Sequence, residues 1–426
     1  MIDNLYRRFL WLVVGSALWG MLTPGAVGQP SDSWQSERNK MVDDEIVAAG
    51  VSNVRVIDAM RTVPRHEFVT PDQRRYAYCD MCLPIGSGQT ISPPFMVAMM
   101  TERLDLQPTD RILEVGTGSG YQSAVLSRLV QDVYTIEIVE ALGRRSAATL
   151  RRLRCDNVHP RTGDGYAGWP QYAPFDKIIV TCSPTAVPQA LVDQLKEGGR
   201  MIVPVGERFQ QTLYLFEKRG GKLVKEAIEP TMFVPMTGAG EDDGRRNRAA
   251  GDQLVNGDFE EPSRFAERPE GWYYARQAKV EALDEAPAGK NCLTITNREP
   301  GRHGQVLQAV GVDGRQTCRL DIDFWVRTAS VKAGPSIENQ AMLLVTFFDE
   351  ERSPLGQAMV GPWSGSMPWT RQQGRLNVPR SARFAVVAIG LLGATGEISF
   401  DDIRSKAVPA KPVALLPGQS SPGSRR

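Results

Sequence analysis

The rhythm of the apolar runs between about residues 36 and 236 constrains this chain more than any other feature. Runs that read as buried strands fall at Arg111–Gly116, Val133–Ile138, Phe175–Cys182, Arg200–Val205 and Thr212–Phe216, with amphipathic stretches near 121–130, 140–153 and 187–196 between most of them. Strand, helix, strand at this spacing implies right-handed crossovers and a mostly parallel sheet covered on both faces. A doubly wound, Rossmann-like α/β sheet is expected, preceded by a helical stretch over 36–62 that Pro64 punctuates. Residues 237–252 (TGAGEDDGRRNRAAGD) bury almost nothing and read as a linker. Beyond it the rhythm changes. Gln305–Val310, Thr317–Val326, Ala341–Phe348, Arg383–Leu391 and Glu397–Asp401 are strand-like, separated by Gly/Pro turns, so an all-β sandwich is expected over 253–407 and a disordered tail over 408–426.

Charge and rare residues narrow the chemistry. Lys and Arg number 50 against 49 Asp and Glu, a net charge of +1, too weak a field to make duplex nucleic acid an expected partner. The only histidines are His66, His159 and His303, widely spaced, which leaves little for a multi-histidine metal site or a Ser-His-Asp hydrolase. Cys79 and Cys82 have redox or metal-ligand spacing, but no second pair completes a zinc site, so no metal is expected there. Cys292 and Cys318 would either pair across neighbouring strands in an oxidising compartment or remain buried thiols.

Residues 1–28 set up the question of compartment. Arg7 and Arg8 precede an apolar run from Phe9 to Leu22 and a small-residue exit at Ala26-Val27-Gly28, the order a secretory signal requires. The run is shorter than the roughly 20 residues of a spanning helix, although Gly25 to Val27 would extend it into an anchor. An exported, periplasmic or membrane-anchored protein is expected, with a misread start and a cytoplasmic protein as the alternative.

The sharpest local signal is Glu114-Val115-Gly116-Thr117-Gly118-Ser119-Gly120, at the end of the first parallel strand. Its glycines allow a tight turn and close backbone approach to a ligand at the carboxyl edge of the sheet. The G-x-G-x-G spacing departs from the dinucleotide G-x-G-x-x-G, and Glu114 would repel a pyrophosphate while suiting a cationic cofactor. Glu137 ends the second strand, where a carboxylate accepts ribose hydroxyls, and Asp164 with Gly165 lies in the next strand-to-helix loop, where it would face adenine. Three acids at successive strand ends suit S-adenosylmethionine. Taken singly, Glu137 reads equally as a solvated charge and Asp164 as a turn residue.

Several segments then resemble the protein-L-isoaspartate O-methyltransferases: Val63-Pro64-Arg65-His66-Glu67-Phe68-Val69, Leu83-Pro84-Ile85-Gly86, Gly88-Gln89-Thr90-Ile91-Ser92, the glycine loop, Pro174-Phe175-Asp176 and Pro204-Val205-Gly206. The resemblance implies methyl transfer from S-adenosylmethionine to the free carboxylate of an isoaspartyl (or D-aspartyl) residue in a damaged protein. It further implies that Ser92 is the active-site hydroxyl, that Glu114, Gly116, Gly118, Gly120, Glu137, Asp164 and Gly165 serve the cofactor, and that Thr90, Ile91 and Val234 serve the peptide. Without it, Ser92 before Pro93-Pro94 reads as a helix cap. Two departures stand out: Tyr78-Cys79-Asp80 sets the acid one place later than in many relatives, and Thr181-Cys182 replaces a run of alanines. The alternatives are a methyltransferase for another carboxylate, and a secreted binding protein that no longer turns over.

The chemistry agrees with the scarcity of histidine. An aliphatic carboxylate is ionised at neutral pH, so the nucleophile needs no general base. Over 253–407, Asn256-Gly257-Asp258-Phe259-Glu260 and Phe400-Asp401-Asp402-Ile403 bracket a stretch resembling galactose-binding-type jelly rolls. That likeness implies a carbohydrate or envelope ligand; Trp272, Tyr273, Tyr274, Trp325, Trp363 and Trp369 read first as core and only alternatively as a stacking face, and a calcium shared by the oxygens of Asp258 and Asp401 is the lesser alternative to no metal.

Overall fold

Five strands lie where the rhythm of the first half puts them or close by, four of them parallel. The computed structural model describes residues 31–207, 210–240, 253–261, 263, 265, 268–350 and 352–410. Helices α1 (Ser31–Met41) and α2 (Val54–Thr62) enclose a six-residue π-helical segment at Val42–Val47, so the predicted helical stretch is broken rather than continuous. A short hairpin, β1 (Leu83–Gly86) and β2 (Gln89–Ile91), leads into α3 (Pro94–Arg103). Then follow β3 (Arg111–Val115), α4 (Tyr121–Leu126), β4 (Asp132–Glu137), α5 (Glu140–Arg152), β5 (Val158–Thr162), β6 (Phe175–Val180), α6 (Gln189–Gln194), β7 (Leu195–Glu207), β8 (Gln210–Arg219) and β9 (Lys222–Thr231).

The seven strands are ordered β5-β4-β3-β6-β7-β8-β9, parallel through β7 and antiparallel beyond it. The chain runs outward from β3 to β5 and then crosses back to lay β6 against the other side of β3. That reversal opens a crevice beyond the carboxyl ends of the central strands. Ile112, Leu113, Ile178 and Ile179 are fully buried there, as strands covered on both faces require.

The second half is a pair of five-stranded antiparallel sheets. Strands β10 (Tyr273–Arg276), β11 (Ala278–Ala282), β12 (Asn291–Asn297), β13 (Gln305–Gly311), β14 (Thr317–Lys332), β15 (Ala341–Phe348), β16 (Pro354–Trp363), β17 (Gly365–Asn377), β18 (Phe384–Gly390) and β19 (Thr395–Pro409) form the orders β10-β13-β18-β15-β16 and β11-β12-β19-β14-β17. Leu320, Ile322, Phe324 and Val326 of β14 alternate inward onto a core that includes Phe347, Phe400 and Trp272.

Several alternatives left open by the sequence narrow, and one boundary moves. Cys292 sits on β12 and Cys318 on β14, with β19 between them, and all six cysteines are free thiols. Trp272 is buried and donates from Nε1 to the Asn256 carbonyl at 3.0 Å, while Trp363 packs on Phe324 and Phe400, so neither offers a stacking face. The Asp401 carboxylate accepts from the Ala288 and Asp402 amides at 2.8 and 2.7 Å, and Asp258 is exposed. Among the described residues no cluster of three acidic, histidine or cysteine side chains is placed to hold a metal. Strand β19 carries two residues past the predicted start of the tail. The signal or anchor at 1–28, most of the linker and nearly all of the tail lie outside the described residues; no described helix is long and apolar enough to cross a membrane.

Candidate active site

The crevice at the sheet's reversal is open to solvent. One wall is the β3–α4 turn. Gly116 and Gly118 adopt φ of +100° and +54°, a region glycine enters without the cost a Cβ brings. A Cβ on Gly116 would also stand 2.5 Å from Thr181 Oγ1, because that hydroxyl donates to the Gly116 carbonyl. Gly120 is turned the other way. It has φ +89° and meets Leu150 and Ser146 of α5, so it packs a helix and does not line the cleft.

Glu137 closes the far side at the end of β4. Its carboxylate accepts from the Gly118 amide at 2.7 Å and the Val139 amide at 2.9 Å, fixing both oxygens at the cleft wall. Gly165 lines the same space; a Cβ there would strike Val115. Asp164 does not line it. Its oxygens accept from the Tyr166 amide at 2.9 Å and the Ala239 amide at 2.7 Å, so the carboxylate caps a short 3₁₀ turn and secures the chain leaving the domain.

Glu114 also departs from expectation. Strand alternation sends its side chain under the sheet, where it is wholly buried and accepts from the Ser123 hydroxyl, and Oε1 has no partner. Burial raises its carboxyl to about 7. It ties β3 to α4 through Ser123 and contributes nothing to the cleft surface.

The opposite wall holds the hairpin and the start of α3. Thr90, Ile91 and Ser92 line the cleft beside Val97 and Met100, and Val234 enters from the segment after β9, held where the Ser183 amide donates to its carbonyl at 2.8 Å. Ser92 is not the helix cap: α3 starts at Pro94, its cap residue is Pro93, and that residue makes no side-chain cap bond. The cap comes from a distance, since Asp80 Oδ1 accepts from the Phe95 amide at 2.9 Å. The Ser92 hydroxyl is thereby left to the cleft.

Tyr121, Gln122, Thr181 and Cys182 also line the cleft; the sequence reading marked Thr181-Cys182 only as a departure from the family's pattern and gave Tyr121 and Gln122 no role. Burial pushes the Tyr121 phenol up to about 12 and raises the Cys182 thiol well above its ordinary value, so both are neutral at physiological pH. No histidine lines the cleft. His66 stacks on Trp34 at 4.8 Å and His159 pairs with Asp132 at 2.8 Å, each in a structural role.

The sequence over residues 36–241 matches the family of protein-L-isoaspartate(D-aspartate) O-methyltransferases. A protein-L-isoaspartate O-methyltransferase from Opitutus terrae is 51% identical over 203 residues, covering 47% of this chain and 87% of that protein. One from Nitrosococcus oceani is 52% identical, covering 43% of this chain and 84% of the relative. The chain belongs to the protein-L-isoaspartate O-methyltransferase family. Among solved structures, a beta-aspartate methyltransferase from Plasmodium falciparum in complex with S-adenosyl-L-homocysteine is 27% identical, with a TM-score of 0.43, and covers 47% of this chain and 98% of that one. The family match ends near residue 241, so the sandwich is an addition to the family's domain.

The cleft fits the family's adenosyl cofactor on its own chemistry. A cradle of cleft-lining glycines at Gly116, Gly118 and Gly165, with a carboxylate at Glu137, is what a ribose and a closely approached backbone require.

Proposed function

We propose that this protein methylates the free carboxylate of isoaspartyl residues in damaged proteins, using S-adenosylmethionine. The observation that carries the reading is the meeting of Ser92, Thr90 and Ile91 with Gly116, Gly118 and Glu137 across one cleft, in a domain of about 200 residues that is about half identical to enzymes of that name.

S-adenosylmethionine, when bound, supplies an electrophilic methyl group on sulfur. The protein's part is positional. A carboxylate nucleophile is already an anion, and the cleft accordingly has no histidine and, apart from the Glu137 carboxylate on the cofactor wall, presents uncharged groups. Ser92 donates one hydrogen bond to orient that carboxylate, with Thr90, Ile91 and Val234 holding the peptide on either side. Glu137 accepts from ribose hydroxyls at the opposite wall. Holding the reacting atoms at roughly 3 Å in line accounts for most of the acceleration such a site supplies.

The deciding experiment compares labelling from radioactive S-adenosylmethionine of an isoaspartyl peptide and its aspartyl twin. Labelling confined to the isoaspartyl member is expected; equal labelling would reject the repair role.

Two finer proposals attach to the rest of the chain. The sandwich is read as a jelly roll that carries a carbohydrate or envelope ligand on the outer face of β14 and β17, where Trp325 and Trp369 are half-buried and Arg327 lies 5.6 Å from the Trp369 ring centre. Retention on insoluble envelope polysaccharide, lost on Trp325→Ala, would support it. The N-terminal segment is read as an export signal or anchor, and fractionation with sequencing of the mature N-terminus tests that directly.

A further inference from the structure

Strand β10 of the sandwich meets the methyltransferase domain at the two segments that form the peptide side of the cleft. Asp80 is the junction. One carboxylate oxygen accepts from the Phe95 amide in the first turn of α3. The other accepts from Tyr274 Oη at 2.6 Å and from the Arg276 guanidinium, both in the sandwich. The Asp80 and Arg276 side chains are only 5% and 12% exposed, and the Arg276 guanidinium lies 3.8 Å from the centre of the Phe95 ring. One residue away on β10, Tyr273 Oη meets Met232 Sδ at 3.0 Å, immediately before Phe233 and Val234.

Regular strand alternation would send Tyr273 and Tyr274 to opposite faces. Here the register slips between Tyr273 and Arg276, and Tyr274 takes φ +56°. The bulge turns all three side chains onto the neighbouring domain. From Phe95 back to Ser92 the chain passes through Pro94 and Pro93, whose rings fix φ. A displacement of the Phe95 amide is therefore carried stiffly to the Ser92 hydroxyl.

We infer that the sandwich completes the active site: Tyr274 and Arg276, acting through Asp80 and the first turn of α3, are positioning residues for Ser92, and Tyr273 braces the Val234 side of the same cleft. This rests on Ser92 being the hydroxyl that orients the substrate carboxylate. The added domain is then part of the catalytic unit as well as a carrier of any second ligand.

A double-mutant cycle in the full-length protein tests it. Arg276→Ala is expected to lower kcat for an isoaspartyl peptide about tenfold, with the Kd for S-adenosylmethionine unchanged, and Arg276→Lys to restore part of the loss. In a Ser92→Ala background the same substitution is expected to cost nothing further, because the group it positions is gone. Tyr274→Phe removes a single hydroxyl, and carries the same comparison with about a threefold effect should Arg276→Ala not fold. Equal losses in both backgrounds, or loss of cofactor affinity in step with kcat, would overturn the positioning role while leaving Ser92's own role standing. An unchanged kcat in Ser92→Ala alone would remove the reading of Ser92 and this inference with it.

Discussion

Two side chains at the cleft divide the work between substrate and cofactor, and single substitutions separate them. Ser92 is free of the cap duty its place before two prolines suggests, because Asp80 takes that duty. Ser92→Ala should lower kcat roughly 10- to 100-fold, the worth of a hydrogen bond to a charged acceptor, and leave the Kd for S-adenosylmethionine within about twofold, as measured by calorimetry. Glu137 is the complementary case. Its carboxylate holds the Gly118 and Val139 amides as well as facing the cleft, so Glu137→Ala should weaken cofactor binding by roughly 10- to 100-fold. Calorimetric binding unchanged in that variant would place the ribose elsewhere.

At the scale of elements, the β3–α4 turn shows how local sequence becomes a site. Gly116 carries both a positive φ and a contact that a Cβ would close to 2.5 Å. Gly116→Ala should destabilise the protein by about 1–3 kcal/mol in chemical denaturation, as strained backbone does, and weaken cofactor binding. Adding Thr181→Ala should recover the steric part alone, because the backbone strain stays. This turn and the strands around it were legible because buried parallel strands are continuous apolar runs. Strand β5 was not: its sequence is VHPRT, four of its five residues are partly or fully exposed, and it lies at a sheet edge, where pairing needs no apolar pattern. Strands β9, β16 and β17 were missed for the same reason, each being mostly solvent-facing. Cleft membership divided along similar lines. Gly116, Gly118, Glu137, Gly165, Thr90, Ile91, Ser92 and Val234 meet in space, but spacing alone does not reveal which way a strand turns a side chain, and Glu114 points under the sheet. The remote capping by Asp80, and its pairing with residues almost two hundred positions away, had no local signature at all.

Across the whole molecule, activity and stability should respond to pH through different groups. The cleft's Tyr121 and Cys182 stay neutral across the physiological range and the nucleophile belongs to the substrate, so kcat/KM should be flat from about pH 6 to 9. Stability is another matter. Glu114 beneath the glycine turn and Glu45 in the cleft between the two domains are both raised to about 7, first by burial. Glu45 also faces Asp80, whose charge raises it further, against the lowering effect of Arg276 and Arg302. A carboxyl raised in the folded state binds its proton more tightly there than in the unfolded chain. Below the unfolded value of 4.5 both states are protonated and the group costs nothing; between 4.5 and about 7 stability falls as pH rises, and beyond 7 the loss is complete. Histidines whose values burial lowers, His66 and His303, work in the opposite sense over part of that window, so the wild-type curve alone will not isolate the carboxyls. The difference from a glutamine variant does. Glu114→Gln keeps a neutral acceptor for Ser123 and cannot ionise, and its stability relative to wild type should rise from pH 5 to about pH 7, by up to about 3 kcal/mol, and level off by pH 8. Glu45→Gln should show the same trend with a similar amplitude, since its carboxyl is raised to the same value. Scanning calorimetry of the three proteins across that range decides it: a difference that is constant with pH would mean that these carboxyls are ionised in the folded protein and that the buried charge is compensated in some other way.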